Sequence, residues 1–158
     1  MIELEKLQTM WKNDAPINDV ELGKEAALVP NLHAKYIEIL STVRLNLRKE
    51  QSEYFKLRRH KWRYYRGEMS DTELKELGWQ QYLGAKPLKN EMEEHLQGDF
   101  DLIKKQDRIS YYETVVSFLE SVLRSIHSRG WDIKNAIEWH KFTNGISKIY
   151  MLYMWRDI

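Results

Sequence analysis

The stretch Leu57-Arg58-Arg59-His60-Lys61-Trp62-Arg63-Tyr64-Tyr65-Arg66 sets cations and aromatic rings side by side in ten consecutive positions. That mixture suits one chemistry in particular. Lys and Arg neutralise phosphates and release condensed counterions, while rings and guanidinium planes stack on the unpaired bases of single strands. The run ends a longer basic segment: from Arg44 to Arg66, nine Lys/Arg stand against Glu50 and Glu53, a local charge of +7 (nine minus two) in a chain whose total is +1. Charge segregated in this way marks a polyanion site. The candidate contacts are Arg44, Arg48, Lys56, Arg58, Arg59, Lys61, Arg63 and Arg66. With so few acids nearby, ion pairing within the segment cannot satisfy them. The bland alternative is a solvated helix face, or a face that binds an acidic protein partner, with the aromatics simply packed as core.

Covalent chemistry lacks its parts. The five histidines (His33, His60, His95, His127, His140) are scattered with no paired-ligand spacing, and there is no cysteine. No Walker sequence or glycine-rich phosphate loop is present. Glu91-Met92-Glu93-Glu94-His95 is an acidic cluster near a loop, and a surface role fits it better than metal binding. The expectation is a non-enzymatic protein with no cofactor and no metal.

The basic residues must be positioned by helices. Seven glycines and three prolines are too few for a many-stranded sheet. Residues 3–12 read as a short amphipathic helix, and a second, capped by Asn18 or Asp19, runs to about Leu28 before Pro30 breaks it. From Leu32 to Arg66 there is neither Gly nor Pro, which permits one long helix closed by Gly67. Tyr36, Leu40, Val43, Leu47, Tyr54, Leu57 and Tyr64 form a coiled-coil-like seam on that helix, with Glu50 and Lys61 in its two polar places. Arg44, Arg48, Arg59, Arg63 and Arg66 fall within about a 100° arc roughly opposite the seam, whereas Lys61 sits on the seam side. Ser70-Asp71-Thr72-Glu73 is a capping box for a short helix. Gly84-Ala85-Lys86-Pro87 is a loop, Lys89–Gln97 is helical or frayed, and Gly98-Asp99 opens a second long helix. Leu102, Ile109, Tyr112, Val116, Leu119, Leu123 and Ile126 keep heptad spacing along it until Ser128-Arg129-Gly130, after which a last helix spans about Asp132 to Phe142.

The fold expected is therefore all-α: two long heptad-patterned helices with short ones, a single domain over 1–145 and an apolar C-terminal extension over 146–158. The N-terminus has no apolar signal region and no run is long enough to span a bilayer, so a soluble, intracellular protein is expected. The two seams can pair within one protomer or continue between protomers. The apolar extension needs a cover, and the balance leans toward assembly. Leu119, Leu123, Ile126, Trp131, Ile149, Leu152 and Trp155 are the candidate protomer–protomer contacts.

A series of short motifs resembles the UvsY family, the recombination mediators of T-even and related phages. The N-terminal Leu4-Glu5-Lys6-Leu7-Gln8 with Lys12-Asn13-Asp14 is similar to that family's opening. Arg58-Arg59-His60-Lys61 before Tyr64-Tyr65 and Gly67 resembles its basic motif, and Ser128-Arg129-Gly130-Trp131-Asp132-Ile133-Lys134 its Ser-Arg-Gly signature. Glu91-Met92 and Leu102-Ile103-Lys104 fall in collinear order between them, over roughly 3–145. The resemblance implies a homo-oligomeric ring, larger than a dimer, in the cytoplasm of an infected bacterial host. It also implies binding to single-stranded DNA, to a phage recombinase and to a phage single-stranded DNA-binding protein, displacing the last and stabilising the recombinase filament. The family's DNA-binding motif falls on Arg59 and Lys61, with Arg58 and Arg63 as added charge. Two departures stand out: Arg63 replaces an acidic residue before the Tyr pair, and the segment after Gly145 extends beyond the family pattern.

Overall fold

A computed structural model describes residues 3–146, and every regular element among them is helical. In order these are α1 (Leu4–Asp14), α2 (Leu22–Tyr65), α3 (Asp71–Leu77), α4 (Met92–Gln97) and α5 (Phe100–Lys141), then a π-helical turn, Phe142–Ile146. Two compact units divide the described residues: 3–42 with 115–146, and 43–114. α2 and α5 each contribute a segment to both. None of the described helices is long and apolar enough to cross a membrane. Ile149, Leu152 and Trp155, with the rest of the extension beyond 146, lie outside the described residues.

The first unit has an apolar core of Leu7, Leu22, Tyr36, Leu40, Val115, Leu119, Val122, Ile126 and Ile133. Trp11 meets Tyr36 edge-on at 5.5 Å, and the Tyr36 hydroxyl donates to Asp14 at 3.0 Å. Burial, then that hydrogen bond, push the Tyr36 hydroxyl pKa upward. One cation is buried here. Arg129, only 6% exposed, donates to the carbonyls of Ala15 (2.6 Å) and Pro16 (2.9 Å) and to the Glu25 carboxylate (2.9 Å). It ties the α1–α2 connection to α5, so the arginine of the Ser-Arg-Gly motif holds the fold.

Local helix breakers do not break the long helices. Pro30 lies inside α2, where the chemistry of proline predicts a stop. Pro30 and Ala26, whose carbonyl loses its N–H partner, are both exposed, so water can replace that bond. Gly130 likewise lies inside α5. A helical glycine costs about 1 kcal/mol relative to alanine, and burial of its neighbours Arg129 and Ile133 on the same turn outweighs that.

The seam on α2 runs as the spacing predicts, with Tyr36, Leu40 and Val43 buried and even the polar Glu50 and Lys61 enclosed. On α5 the heptad count places Val116 and Leu123 inward, but Val115 and Val122 are the buried residues, with Val116 and Leu123 half-buried. The seam advances three residues from Tyr112 to Val115, and the expected step of four overshoots it.

The second unit is built from 43–65 of α2, the short helices and 100–114 of α5. Gly67 takes φ 67°, and Glu68 N–H bonds the Arg63 carbonyl while Gly67 N–H bonds that of Tyr64, the six-to-one and five-to-two pattern that ends a helix. Ser70 and Glu73 cap α3 reciprocally. Asp99 caps α5, its carboxylate accepting from the N–H groups of Asp101 and Leu102. The second unit's apolar core is Val43, Leu74, Met92, Leu96, Leu102, Ile109 and Tyr112.

Candidate nucleic-acid interface

The basic segment of α2 divides into cations that are bonded and cations that are not. Arg58 forms a two-pronged pair with Glu93 at 2.6 and 2.7 Å. Arg63 does the same with Glu73 at 2.7 and 3.1 Å, and Arg66 bonds Glu68 at 2.6 Å. Lys61, 8% exposed, reaches Asp101 at 2.6 Å and Asp99 at 3.1 Å, and lies 4.6 Å from the Trp79 ring centre. Acids within the segment are indeed too few. The partners come from later in the chain, between Glu68 and Asp101, a distance in sequence that charge counting over a local window does not reach.

Asp99 is the hub of this network. Besides capping α5, it accepts the Tyr65 hydroxyl at 2.7 Å and is 5% exposed. Burial alone would raise its pKa, but Tyr65, the Leu102 N–H and Lys61 together hold it below the ordinary carboxylate value. Burial would lower the Lys61 ammonium pKa, and the hydrogen bonds to Asp101 and Asp99 outweigh that, leaving it raised. Burial and the bond to Asp99 push the Tyr65 hydroxyl upward. Further along, Lys105 of α5 bonds Glu50 at 2.8 Å and also Glu53, while Arg108 reaches Glu50 at 2.7 Å. The order of these pairs, Glu50 with Lys105 and Lys61 with Asp101, makes α2 and α5 antiparallel in this unit.

The aromatics of the basic run pack. Tyr64 and Tyr65 meet each other at 5.3 Å, Trp79 joins Tyr64 at 5.3 Å, Tyr82 joins Tyr65 at 5.1 Å, and His95 stacks on Tyr65 at 5.6 Å. Trp62 is half-buried. The acidic cluster is absorbed too: Glu93 holds Arg58, and Glu91 accepts the Leu88 N–H. No group of three or more His, Cys, Asp or Glu among the described residues is arranged to hold a metal.

What remains is an exposed stripe. Arg48, Lys56 and Arg59 are exposed and form no ion pair among the described residues, and Arg44 lies exposed on the same face. Helical geometry puts Arg44, Arg48 and Arg59 within about 60° of one another around α2. Between them, at the same angle, stands Phe55, 67% exposed. Sequence patterning passed over Phe55 because it is off the apolar seam. Its signal was its step, seven residues after Arg48 and four before Arg59.

Of the expected protomer contacts, Leu119 and Ile126 are fully covered inside their own chain, where they fill the first unit's core. Leu123 is half-buried and Trp131 is 67% exposed.

A family model described as "Recombination, repair and ssDNA binding protein UvsY" matches residues 10–146. The curated "Recombination protein uvsY" of Enterobacteria phage T4 is 25% identical over 144 residues, spanning 91% of this chain and 99% of its own. Crystal structures of the bacteriophage T4 recombination mediator protein UvsY share the fold. Lattice type II gives a TM-score of 0.80 at 24% identity, covering 92% of this chain and 100% of that one. Lattice type IV gives 0.79 at 24% identity, covering 89% and 99%.

Proposed function

The chain belongs to the UvsY family of recombination, repair and single-stranded-DNA-binding proteins, and from that premise we propose that it is a phage recombination mediator. It binds single-stranded DNA along the exposed face of α2. It promotes loading of the phage strand-exchange recombinase onto strands covered by the phage single-stranded DNA-binding protein, and it works as a homo-oligomer larger than a dimer, in the cytoplasm of the infected host. No covalent step is needed. Mediation is an exchange of bound proteins, driven by preferential binding to the strand and the filament.

The observation that carries this reading is the set Arg48, Lys56 and Arg59, exposed on α2 and without an ion pair among the described residues. Their neighbours Arg58, Lys61, Arg63 and Arg66 are held by carboxylates of the same chain, so the free cations stand on a face whose position is fixed. Repetition of that face around an oligomer multiplies its grip on one strand. Support for assembly comes from the end of α5 and the turn that follows it, where Trp131, Trp139 and Phe142 are exposed.

Titration of fluorescent oligothymidylate at several salt concentrations, with the particle size measured on the same sample, tests the reading. Each phosphate neutralised contributes about −0.7 to the log–log salt slope for single strands. Arg48→Ala with Arg59→Ala is expected to make the slope less negative by about 1.4, two such contacts. Helix content and melting temperature are expected to stay as they are. A wild-type slope near zero refutes phosphate-led binding. Failure to restore recombinase assembly on strands pre-covered with the single-stranded DNA-binding protein refutes mediation.

A further inference from the structure

We infer that Phe55 is the residue by which the basic face distinguishes single strands from duplex, its ring stacking on a base that only an unpaired strand presents. The inference rests on the DNA-binding reading above and adds to it a source of selectivity.

Phosphate contacts cannot supply that selectivity, because the backbone of duplex DNA offers phosphates to Arg48, Lys56 and Arg59 just as well. A base face can, since in duplex it is covered by its neighbours. Among the residues of this stripe Phe55 alone has a ring. It is 67% exposed, on the helix face opposite the buried Val43, Glu50 and Lys61. Tyr54 packs against Phe55 in a T-shaped arrangement at 5.8 Å, and Phe55 still keeps two thirds of its surface in solvent. Arg59 follows one turn later, about 6 Å along the axis, and Arg48 precedes by two turns, about 10 Å. A strand lying along α2 would therefore have a cation on either side of the stacked base. A solitary exposed apolar residue is ordinary. An exposed ring between two cations that form no ion pair among the described residues is complementary to a strand that is anionic along its backbone and flat at its bases.

The test uses the full chain and three variants, Phe55→Ala, Phe55→Leu and Phe55→Trp. The probes are a fluorescent oligothymidylate, the same strand with abasic sites throughout, and a duplex of equal length. Phe55→Ala and Phe55→Leu are expected to weaken oligothymidylate binding roughly tenfold, the lower part of the range for one base–aromatic stack. Binding to duplex and to the abasic strand is expected to change less than about twofold by the same logic, with the salt slope unaltered. Phe55→Trp restores or exceeds wild-type affinity. Equal losses on single strand and duplex, unchanged affinity in both the Ala and Leu variants, or a smaller particle by sedimentation overturn the inference. The last of these assigns Phe55 to a protomer contact. Wild-type protein that binds oligothymidylate with a steep salt slope while the variants match it leaves the DNA-binding reading intact and removes only Phe55. A flat wild-type slope removes both.

Discussion

The two units solve the problem of basic residues in opposite ways. In 3–42 with 115–146 one cation, Arg129, is buried in an otherwise apolar core, and everything it touches is fixed by the fold: two carbonyls and one carboxylate. In 43–114 three charged residues, Glu50, Lys61 and Asp99, are enclosed beside the apolar core, with charge pairs from Arg58 to Arg108 around them. The difference teaches that an arginine or lysine in a family motif is not thereby a ligand contact. Arg129 belongs to the Ser-Arg-Gly signature and serves stability. Lys61 belongs to the basic motif and is bonded to two carboxylates. On the function proposed above, DNA contact falls to residues that lack such partners.

The largest effect expected from that contrast is at Arg129. Arg129→Met keeps the apolar stem and leaves Glu25 and the Ala15 and Pro16 carbonyls without their donor. Removing one partner of a buried pair costs about 3 kcal/mol, so urea unfolding should show a loss of that size. Affinity of the folded fraction for single-stranded DNA should not change. A loss of affinity at unchanged stability would make Arg129 a binding residue and collapse the comparison.

Lys61→Met is expected to come next. Asp99 keeps Tyr65 and the cap of α5 but loses its cation, and Asp101 loses its partner, for a penalty of about 2 kcal/mol. Salt slope and single-strand affinity should stay as in the wild type. A tenfold affinity loss with the melting temperature intact would return Lys61 to the DNA face, as the family resemblance implies, and a dissociated particle would place it in assembly.

Acid sharpens the contrast further. Asp99, Glu53, Glu68 and Glu73, all in 43–114, are held below their ordinary carboxylate range. Hydrogen bonds from Arg63 and from the Ser70 backbone lower Glu73 to about 2. A depressed carboxylate contributes stability that is complete above its unfolded pKa and is lost as pH falls through its folded value. Stability of 43–114 should therefore decline as pH falls from the ordinary carboxylate range, roughly 4, toward 2. Amide hydrogen exchange at pH 3 against pH 6 is expected to show the larger loss of protection in 43–114. Equal losses in both units would mean that the polar network contributes nothing particular.

Periodicity and caps were legible because they are written within a few residues. The α2 seam, its two polar places, the Gly67 terminus and the Ser70–Glu73 box all stand where spacing puts them. Ion pairing was not legible, because Arg58 meets Glu93 and Lys61 meets Asp101 across 35 and 40 residues. A count inside the basic segment therefore left eight candidate contacts, of which three form no ion pair among the described residues, with Arg44 beside them. Leu119 and Ile126 had the pattern of seam residues, and a seam reads the same whether its partner is in the same chain or another. Phe55 was missed for the opposite reason, since a residue off the seam draws no notice until its neighbours are seen to be unpaired.

The smallest effect tests two glycines against each other, one in each unit. Gly130 and Gly67 both read as helix ends, yet Gly130 is inside α5 and Gly67 closes α2 at φ 67°. A Cβ at either position would meet nothing within 4 Å, so packing does not distinguish them and backbone conformation decides. Alanine at 130 takes a helical conformation it prefers, and the unfolded chain loses freedom, for a gain of about 0.5–1 kcal/mol. Alanine at 67 must enter the left-handed region, at a cost of about 1 kcal/mol. Gly130→Ala should therefore raise the urea midpoint and Gly67→Ala lower it, with single-strand affinity unchanged in the first. If Gly130→Ala lowered the midpoint, α5 would not be continuous through 130, and the burial of Arg129 and Ile133 on one helix would have to be explained by two.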